Sequence, residues 1–321
     1  MTTHHNILVL GGTGFVGRTL CERLVERNGG GSGRITVPTR QIAHGQKVRA
    51  LPTVELVQAN LHDDTTLARL VAGHDAVINL VAILHGSPEA FAQVHVGLPR
   101  RLVAACTGAG VKRVIHVSAL GVGPNGPSHY LRSKAAGEAA LSDSELRLSF
   151  LRPSVIFGAE DRFMNLFATL QAVAPVVPLA GSGARLQPVW VEDVASAIVR
   201  CLDDEASVGR AYECAGPREY TLSELVHLAG RWSGHERPQL PLPDALARAQ
   251  ALLFEMLPGE PLISRDNLDS MKRPNVATPG APGLADLGIT ARALEAVAPL
   301  YLSADAGRAR YNRHRALVRR D

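Results

Sequence analysis

Two residues that can exchange protons stand four positions apart in Tyr130-Leu-Arg-Ser-Lys134. On a helix that spacing places a phenol and an ammonium on one face. The ammonium favours the phenolate, and a phenolate can trade a proton with a substrate hydroxyl or carbonyl while a nicotinamide trades hydride. A second cluster, Gly11-Gly12-Thr13-Gly14-Phe15-Val16-Gly17, nearly lacks side chains and joins the apolar run NILVL to the helical pattern VGRTLCERLVER. Such a turn lets a pyrophosphate reach backbone N–H groups at a helix N-terminus. Glycines 12, 14 and 17 fit G-x-G-x-x-G, and glycines 11, 14 and 17 fit a variant of it. The expected dinucleotide contacts are therefore Gly11, Thr13, Gly14, Phe15, Val16 and Gly17, with the last glycine allowing close helix-to-sheet packing.

The second β-rich run, RITVPTR, lacks at its end the carboxylate that accepts the ribose 2'-hydroxyl of NAD and carries Thr39-Arg40 instead. A guanidinium pairs with a 2'-phosphate, so Arg40 predicts NADP(H), with NAD(H) the alternative. Asn60-Leu61, after the third run, are placed beside the adenine. Val81-Ala82, after the fourth, are placed beneath the ribose and nicotinamide.

These residues need a scaffold, and the pattern supplies one. From Asn6 to about Leu151 short β-rich runs (NILVL, RITV, VELVQ, AVINLV, RVIHV, LRLSFL) alternate with helical patterns. The alternation predicts an α/β, Rossmann-type doubly wound parallel sheet with a small C-terminal α/β lobe. Division is expected at 1–151 for the nucleotide-binding part, 152–303 for the lobe with some elements returning to the sheet, and 304–321 for a basic tail. In the second half the spacing predicts helices over 163–172, 194–202 and 244–257, strands at QPVWV and AYECA, and an exposed loop at RPNVATPGAPG. Thr221-Leu-Ser-Glu224 reads as a capping box. Residues 28–33 (NGGGSG) read as a surface loop. Asp161, Arg162, Glu192 and Asp193 read as ion pairs or helix caps, and Trp190 and Phe163 as lobe core.

With 46% hydrophobic and 20% charged residues in 321, the chain falls outside the disordered and membrane-spanning classes. Cys21, Cys106, Cys201 and Cys214 form no C-x-x-C pair and read as buried reduced thiols. No His/Cys cluster has metal-ligand spacing, so no metal is expected. The apolar run at the start is too short for a signal-peptide core, and no run approaches a bilayer span. A cytoplasmic protein is expected, with peripheral contact to the inner face of a membrane open. Residues 301–321 hold six arginines against Asp305 and Asp321, which accounts for the whole net charge of +4. The remainder is neutral, which argues against a nucleic-acid groove and makes the tail a candidate for anionic lipid or an acidic partner.

GGTGFVG, the VPTR strand end, NLVAI, RVIHVSALGV, YLRSK, LRPSVIFG and QPVWVEDVASAI together resemble the atypical short-chain dehydrogenase/reductases. The resemblance is greatest to the branch containing the NAD(P)H-binding accessory subunit of respiratory complex I and its bacterial relatives, and it runs over nearly the whole chain. It implies NADPH on Gly11 to Gly17 and Arg40, with Lys134, Pro153 and Val155 near the nicotinamide. It also implies a structural or quinone-linked role in a membrane-associated respiratory or quinone-biosynthesis complex. Active extended members carry Ser or Thr after the serine that closes the fifth strand, whereas here Ser118 is followed by Ala119. The donor that polarises a substrate carbonyl is then missing, with Ser118 the substitute. Alternatives are a working reductase, epimerase or dehydratase using Tyr130 and Lys134, and an NADP(H)-sensing regulator.

Overall fold

A computed structural model describes residues 5–29, 33–259 and 261–303. Six parallel strands form in chain order: β1 (Asn6–Leu10), β2 (Arg34–Thr39), β3 (Val54–Gln58), β4 (Ala76–Asn79), β5 (Arg113–Val117) and β6 (Arg147–Pro153). A seventh, Arg210–Cys214, comes from the second half of the chain and pairs with β6 in register Tyr212 to Leu151. The sheet order is Arg210–Cys214, β6, β5, β4, β1, β2, β3. Order reverses between β1 and β4, and the crevice beyond their C-terminal ends is where such sheets hold ligands.

Alternate side chains of each central strand enter two different cores, which is why these runs are apolar almost throughout. Ile7, Val9, Val37, Ile78 and Ile115 pack on one face with Leu20 and Leu24 of α1 (Phe15–Arg27) and Ile198 of the helix Val191–Asp203. Leu8, Leu10, Val77 and Val114 pack on the other with Leu67, Leu102 and Leu141. All four cysteines are buried and free.

A third core, including Phe157, Met164, Leu179, Tyr220 and Val226, lies in the second half, with Phe163 and Trp190 packed against it. There the helices Met164–Val173 and Leu222–Ser233 form close to the expected positions, the latter opened by the Thr221/Glu224 capping box. Glycine at 230 makes their contact feasible, since a Cβ would stand 2.2 Å from the Oε1 of buried Gln171. One expectation is corrected: of QPVWV only Val189–Trp190 is strand, paired with Ile156–Phe157; Pro188 has no N–H to give a ladder. The stretch 273–283 is irregular and partly exposed, as expected of a loop, yet it is tied down at two points. Asn275 bridges Leu186, and Gly283 bridges Glu213 of the central sheet's edge strand, so this segment is a strap between the third core and that sheet. No helix of the described residues is long and apolar enough to cross a membrane. The basic tail, 304–321, lies outside the described residues.

Candidate functional site

The glycine turn leaves β1 at Gly11, whose φ of +84° is the left-handed conformation that glycine alone adopts freely. The other glycines have separate steric reasons. A Cβ on Gly12 would meet Val37 Cγ1 at 2.8 Å, and one on Gly17 would meet Gly11 O at 2.4 Å and Gly12 Cα at 2.5 Å. It is thus Gly12 that fits the turn to the sheet, while Gly17 fits α1 to the turn. Gly14 differs from both, its nearest obstacle being Gly11 O at 3.2 Å. It caps α1 without a side-chain hydrogen bond, and the first turn of that helix holds no acidic residue. The leading N–H groups and the positive end of the helix dipole are therefore left for an anion. Thr13 holds the turn through its carbonyl, which accepts from Arg18 Nε at 2.9 Å. Arg18 and Lys47 both pair with Glu160, and that double pairing, Lys47 first, holds the Glu160 carboxyl below its usual range.

Arg40 follows β2 directly and is exposed, and its guanidinium has no protein partner among the described residues. Asn60 is exposed, its Oδ1 accepting from His62 N at 3.0 Å, and Leu61 is half-buried beside it. Val81 is half-buried and Ala82 exposed at the exit of β4, where Asn79 Oδ1 accepts from Val81 N at 3.1 Å.

Tyr130 and Lys134 share the inward face of the helix His129–Ser142. Lys134 is buried, and its Nζ donates to Val117 O at 2.7 Å at the end of β5. Burial lowers it from 10.5 to about 8, against the raising influence of Glu138. The phenol goes the other way: burial pushes Tyr130 up to about 12. The phenolate expected from a neighbouring ammonium is not what this environment favours. Ser118 is buried with its Oγ unpartnered, and Ala119 is buried beside it. Across the crevice Leu120 N donates to Pro153 O at 2.9 Å, and Val155 N donates to Asn275 Oδ1 at 3.2 Å.

Three side chains of this region carried no signal beyond their residue type. His95 lies in a π-turn, Gln93–Gly97, and fixes three elements at once. Its Nε2 accepts from Ile83 N at 3.1 Å, so Nδ1 carries the proton toward Ser133 Oγ at 2.8 Å, and Ser133 donates to Tyr130 O at 2.9 Å. Burial, then the charge of Lys134, lowers His95 to about 3, which keeps it neutral. Its ring stands edge-on to Tyr130 with centroids 5.5 Å apart. His116, on β5, pairs through Nδ1 with Asn79 Nδ2 at 3.1 Å, leaving its buried Nε2 without a partner. Asn275, on the strap, accepts from Ser154 Oγ at 2.5 Å besides Val155 N. The acidic residues read as structural are so: Asp161 accepts from Phe163 N, Asn165 N and Tyr301 Oη. Glu192 pairs with Arg23 at 2.8 Å, and Asp193 accepts from Arg292 N at 2.8 Å.

A side-chain-poor turn feeding an open helix N-terminus at a switch point, with an ammonium and a phenol on a helix beyond β5, is the arrangement of a dinucleotide-binding Rossmann protein. The family described as NAD(P)H-binding matches residues 11–205, and the chain belongs to it. It is 32% identical over 294 residues to the mitochondrial NADH dehydrogenase (ubiquinone) 1 alpha subcomplex subunit 9 of Mus musculus, covering 89% of this chain and 77% of that protein. It is 30% identical over 231 residues to the (4-alkanoyl-5-oxo-2,5-dihydrofuran-3-yl)methyl phosphate reductase of Streptomyces griseus, covering 71% and 74%. Among solved structures, an NADPH-dependent quinone oxidoreductase of Escherichia coli complexed with NADPH superposes with a TM-score of 0.73 at 20% identity, covering 92% of this chain and 99% of that one. That likeness is one of fold.

The side chains present fit the cofactor. Space at Gly14, unclaimed N–H groups on α1, the free guanidinium of Arg40 and the unpartnered hydroxyl of Ser118 are a matching set of donors for a dinucleotide.

Proposed function

We propose that the protein holds NADPH and serves an accessory, assembly or quinone-linked role in a membrane-associated respiratory complex, in the manner its likeness to the mitochondrial subunit suggests. The carrying observation is a side-chain-poor nucleotide turn beside a site where Ala119 follows Ser118 and supplies no hydroxyl. On this reading Gly14 and the N–H groups of Phe15, Val16 and Gly17 hold the pyrophosphate, and Arg40 pairs with the 2'-phosphate. Asn60 and Leu61 flank the adenine, and Lys134 holds the nicotinamide ribose between Val81-Ala82 and Pro153 to Val155. Bound NADPH would supply hydride. The chain's own groups do little to meet it: Tyr130, raised to about 12 by burial, is a weak proton donor, and Ala119 offers no donor to a carbonyl.

Peripheral placement at the inner face of a membrane is supported by the helix Asp244–Met256. Its Ala247 and Ala251 face the protein while Leu246, Leu252, Leu253 and Met256 are exposed. A second reading, an active reductase, is favoured by half-buried Tyr130 and buried Lys134 one turn apart on the same helix and by the reductase named among the relatives. Titration with NADPH and NADH, followed by turnover on a carbonyl and quinone panel with Tyr130→Phe as control, separates the two. Tight NADPH binding without turnover, with copurification in a membrane complex, supports the accessory role. Turnover abolished by Tyr130→Phe supports the reductase, and absence of nucleotide binding at micromolar cofactor overturns both.

A further inference from the structure

A polar cleft of about 320 Å³ lies between the loop 121–123, which follows β5, and the strap 273–278. Arg152, Glu213, Arg273 and Thr278 are among its walls. It adjoins the crevice: the loop begins three residues after Ser118, and the strap reaches Ser154 and Val155 through Asn275. We propose that this cleft receives the anionic head group, a carboxylate or a phosphate, of a small ligand whose remainder extends toward the nicotinamide, with Arg273 as the recognition residue. The proposal rests on reading the crevice as the nicotinamide-holding site.

The argument is one of which charges are already satisfied. Glu213 is engaged at both oxygens, accepting from Thr278 N at 2.6 Å and Thr278 Oγ1 at 3.1 Å. Arg152 gives Nε to Glu138 Oε1 at 3.0 Å and Nη2 to Glu138 Oε2, which leaves Nη1 unengaged. Arg273 makes no side-chain hydrogen bond or ion pair among the described residues. Its stem instead runs over the glycine loop, where a Cβ on Gly121 would stand 3.7 Å from Arg273 Cδ and one on Gly123 would stand 3.4 Å from Nη1. Gly121 has φ +78°, a conformation glycine adopts without strain, so the loop both turns and leaves room for the arginine. The cleft thus has a carboxylate with each oxygen already held by Thr278 and guanidinium donors that are not engaged, which suits an anion with several acceptor oxygens. An apolar ring placed there would strip water from two guanidinium groups and return no hydrogen bonds.

The experiment uses full-length protein and has a first arm in which NADPH is titrated alone. Failure there counts against the nucleotide reading and is distinguishable from failure of the anion site. With NADPH saturating, calorimetric titration is run with acetoacetate, inorganic phosphate and ethyl acetoacetate. The expected result is binding of at least one anion, with the uncharged ester weaker by roughly tenfold or more. Acetoacetate alone assigns a carboxylate head group, and phosphate alone assigns a phosphoryl group. Arg273→Ala should weaken that binding roughly 10- to 100-fold without changing NADPH affinity. Glu213→Gln, which keeps one oxygen to accept from Thr278 N and removes a facing negative charge, should tighten it. No anion binding to the NADPH-loaded protein, equal binding of ester and acid, or undiminished binding in Arg273→Ala overturns the proposal.

Discussion

Replacing Lys134 by methionine separates what this residue costs the fold from what it gives the site. Lys134 is buried, and its ammonium is lowered from 10.5 to about 8 by desolvation. Between those values the unfolded chain binds a proton that the folded chain does not, so stability rises with pH across that window and the penalty is fully present below pH 8. A shift of that size corresponds to roughly 3 kcal/mol at neutral pH, at about 1.4 kcal/mol per unit. Against it stands the bond from Nζ to Val117 O, whose loss strands a carbonyl at a cost of roughly 1–2 kcal/mol. Lys134→Met, similar in length and apolar, is therefore expected to be about 1–2 kcal/mol more stable than wild type at pH 7. That gain should shrink by pH 10, because wild type improves there and the variant does not. Urea unfolding at pH 7 and pH 10, read as the difference between the two proteins, cancels the tyrosines and cysteines they share. In the same variant NADPH affinity should fall roughly tenfold or more through loss of a charged hydrogen bond to the ribose. A variant less stable than wild type at pH 7, with a stability difference that does not change with pH, would refute the claim that burial of this ammonium is a cost borne for the ligand.

Other substitutions test the cradle. Arg40→Ala should weaken NADPH roughly 10- to 100-fold and leave NADH nearly unchanged, because the exposed guanidinium supports no other contact; equal weakening of both in a fluorescence titration would remove Arg40 from the 2'-phosphate. Gly17→Ala should lower both thermal stability and cofactor affinity, its Cβ falling 2.4 Å from Gly11 O, whereas Gly14→Ala, with its Cβ 3.2 Å from the same oxygen, should lower the melting temperature less and lose the cofactor. Thermal melts with and without NADPH distinguish these outcomes. Gly137→Ala should destabilise the protein by about 1–3 kcal/mol, since its Cβ would stand 2.0 Å from His95 O and would push the Tyr130 helix off the π-turn; an unchanged urea midpoint would show that this approach is not fixed.

The sheet was legible because each strand is buried on both faces and each crossover helix on one, so its period and apolarity are written locally. The glycine turn was legible for the same reason: every steric demand on Gly11, Gly12 and Gly17 arises within the turn or from the strands beside it. The second half obeys different constraints. QPVWV has strand composition, yet Pro188 and the close approach of Gly216, whose Cβ would lie 2.0 Å from Pro188 O, confine pairing to Val189–Trp190. RPNVATPGAPG has loop composition, and its order comes from contacts with Leu186, Ser154 and Glu213, which are distant in sequence. Local pattern carries no record of such partners.

The same distinction explains which site residues a sequence discloses. Tyr130 and Lys134 announce themselves by spacing, but their protonation is decided by what surrounds them. A phenol at about 12 and an ammonium at about 8 are results of burial, and neither value is implied by four intervening peptide bonds. His95 shows the converse. Nothing in VHVG marks it as more than a core histidine, yet it joins the exit of β4 at Ile83 to the Tyr130 helix at Ser133 and fixes the phenol's ring edge-on. Its neutrality matters to that task, because only the neutral ring can accept from Ile83 N–H while donating to Ser133. A protonated His95 would break one of the two contacts and add a second cation beside Lys134. Burial that prevents its protonation is therefore part of what holds the exit of β4 and the Tyr130 helix in one frame.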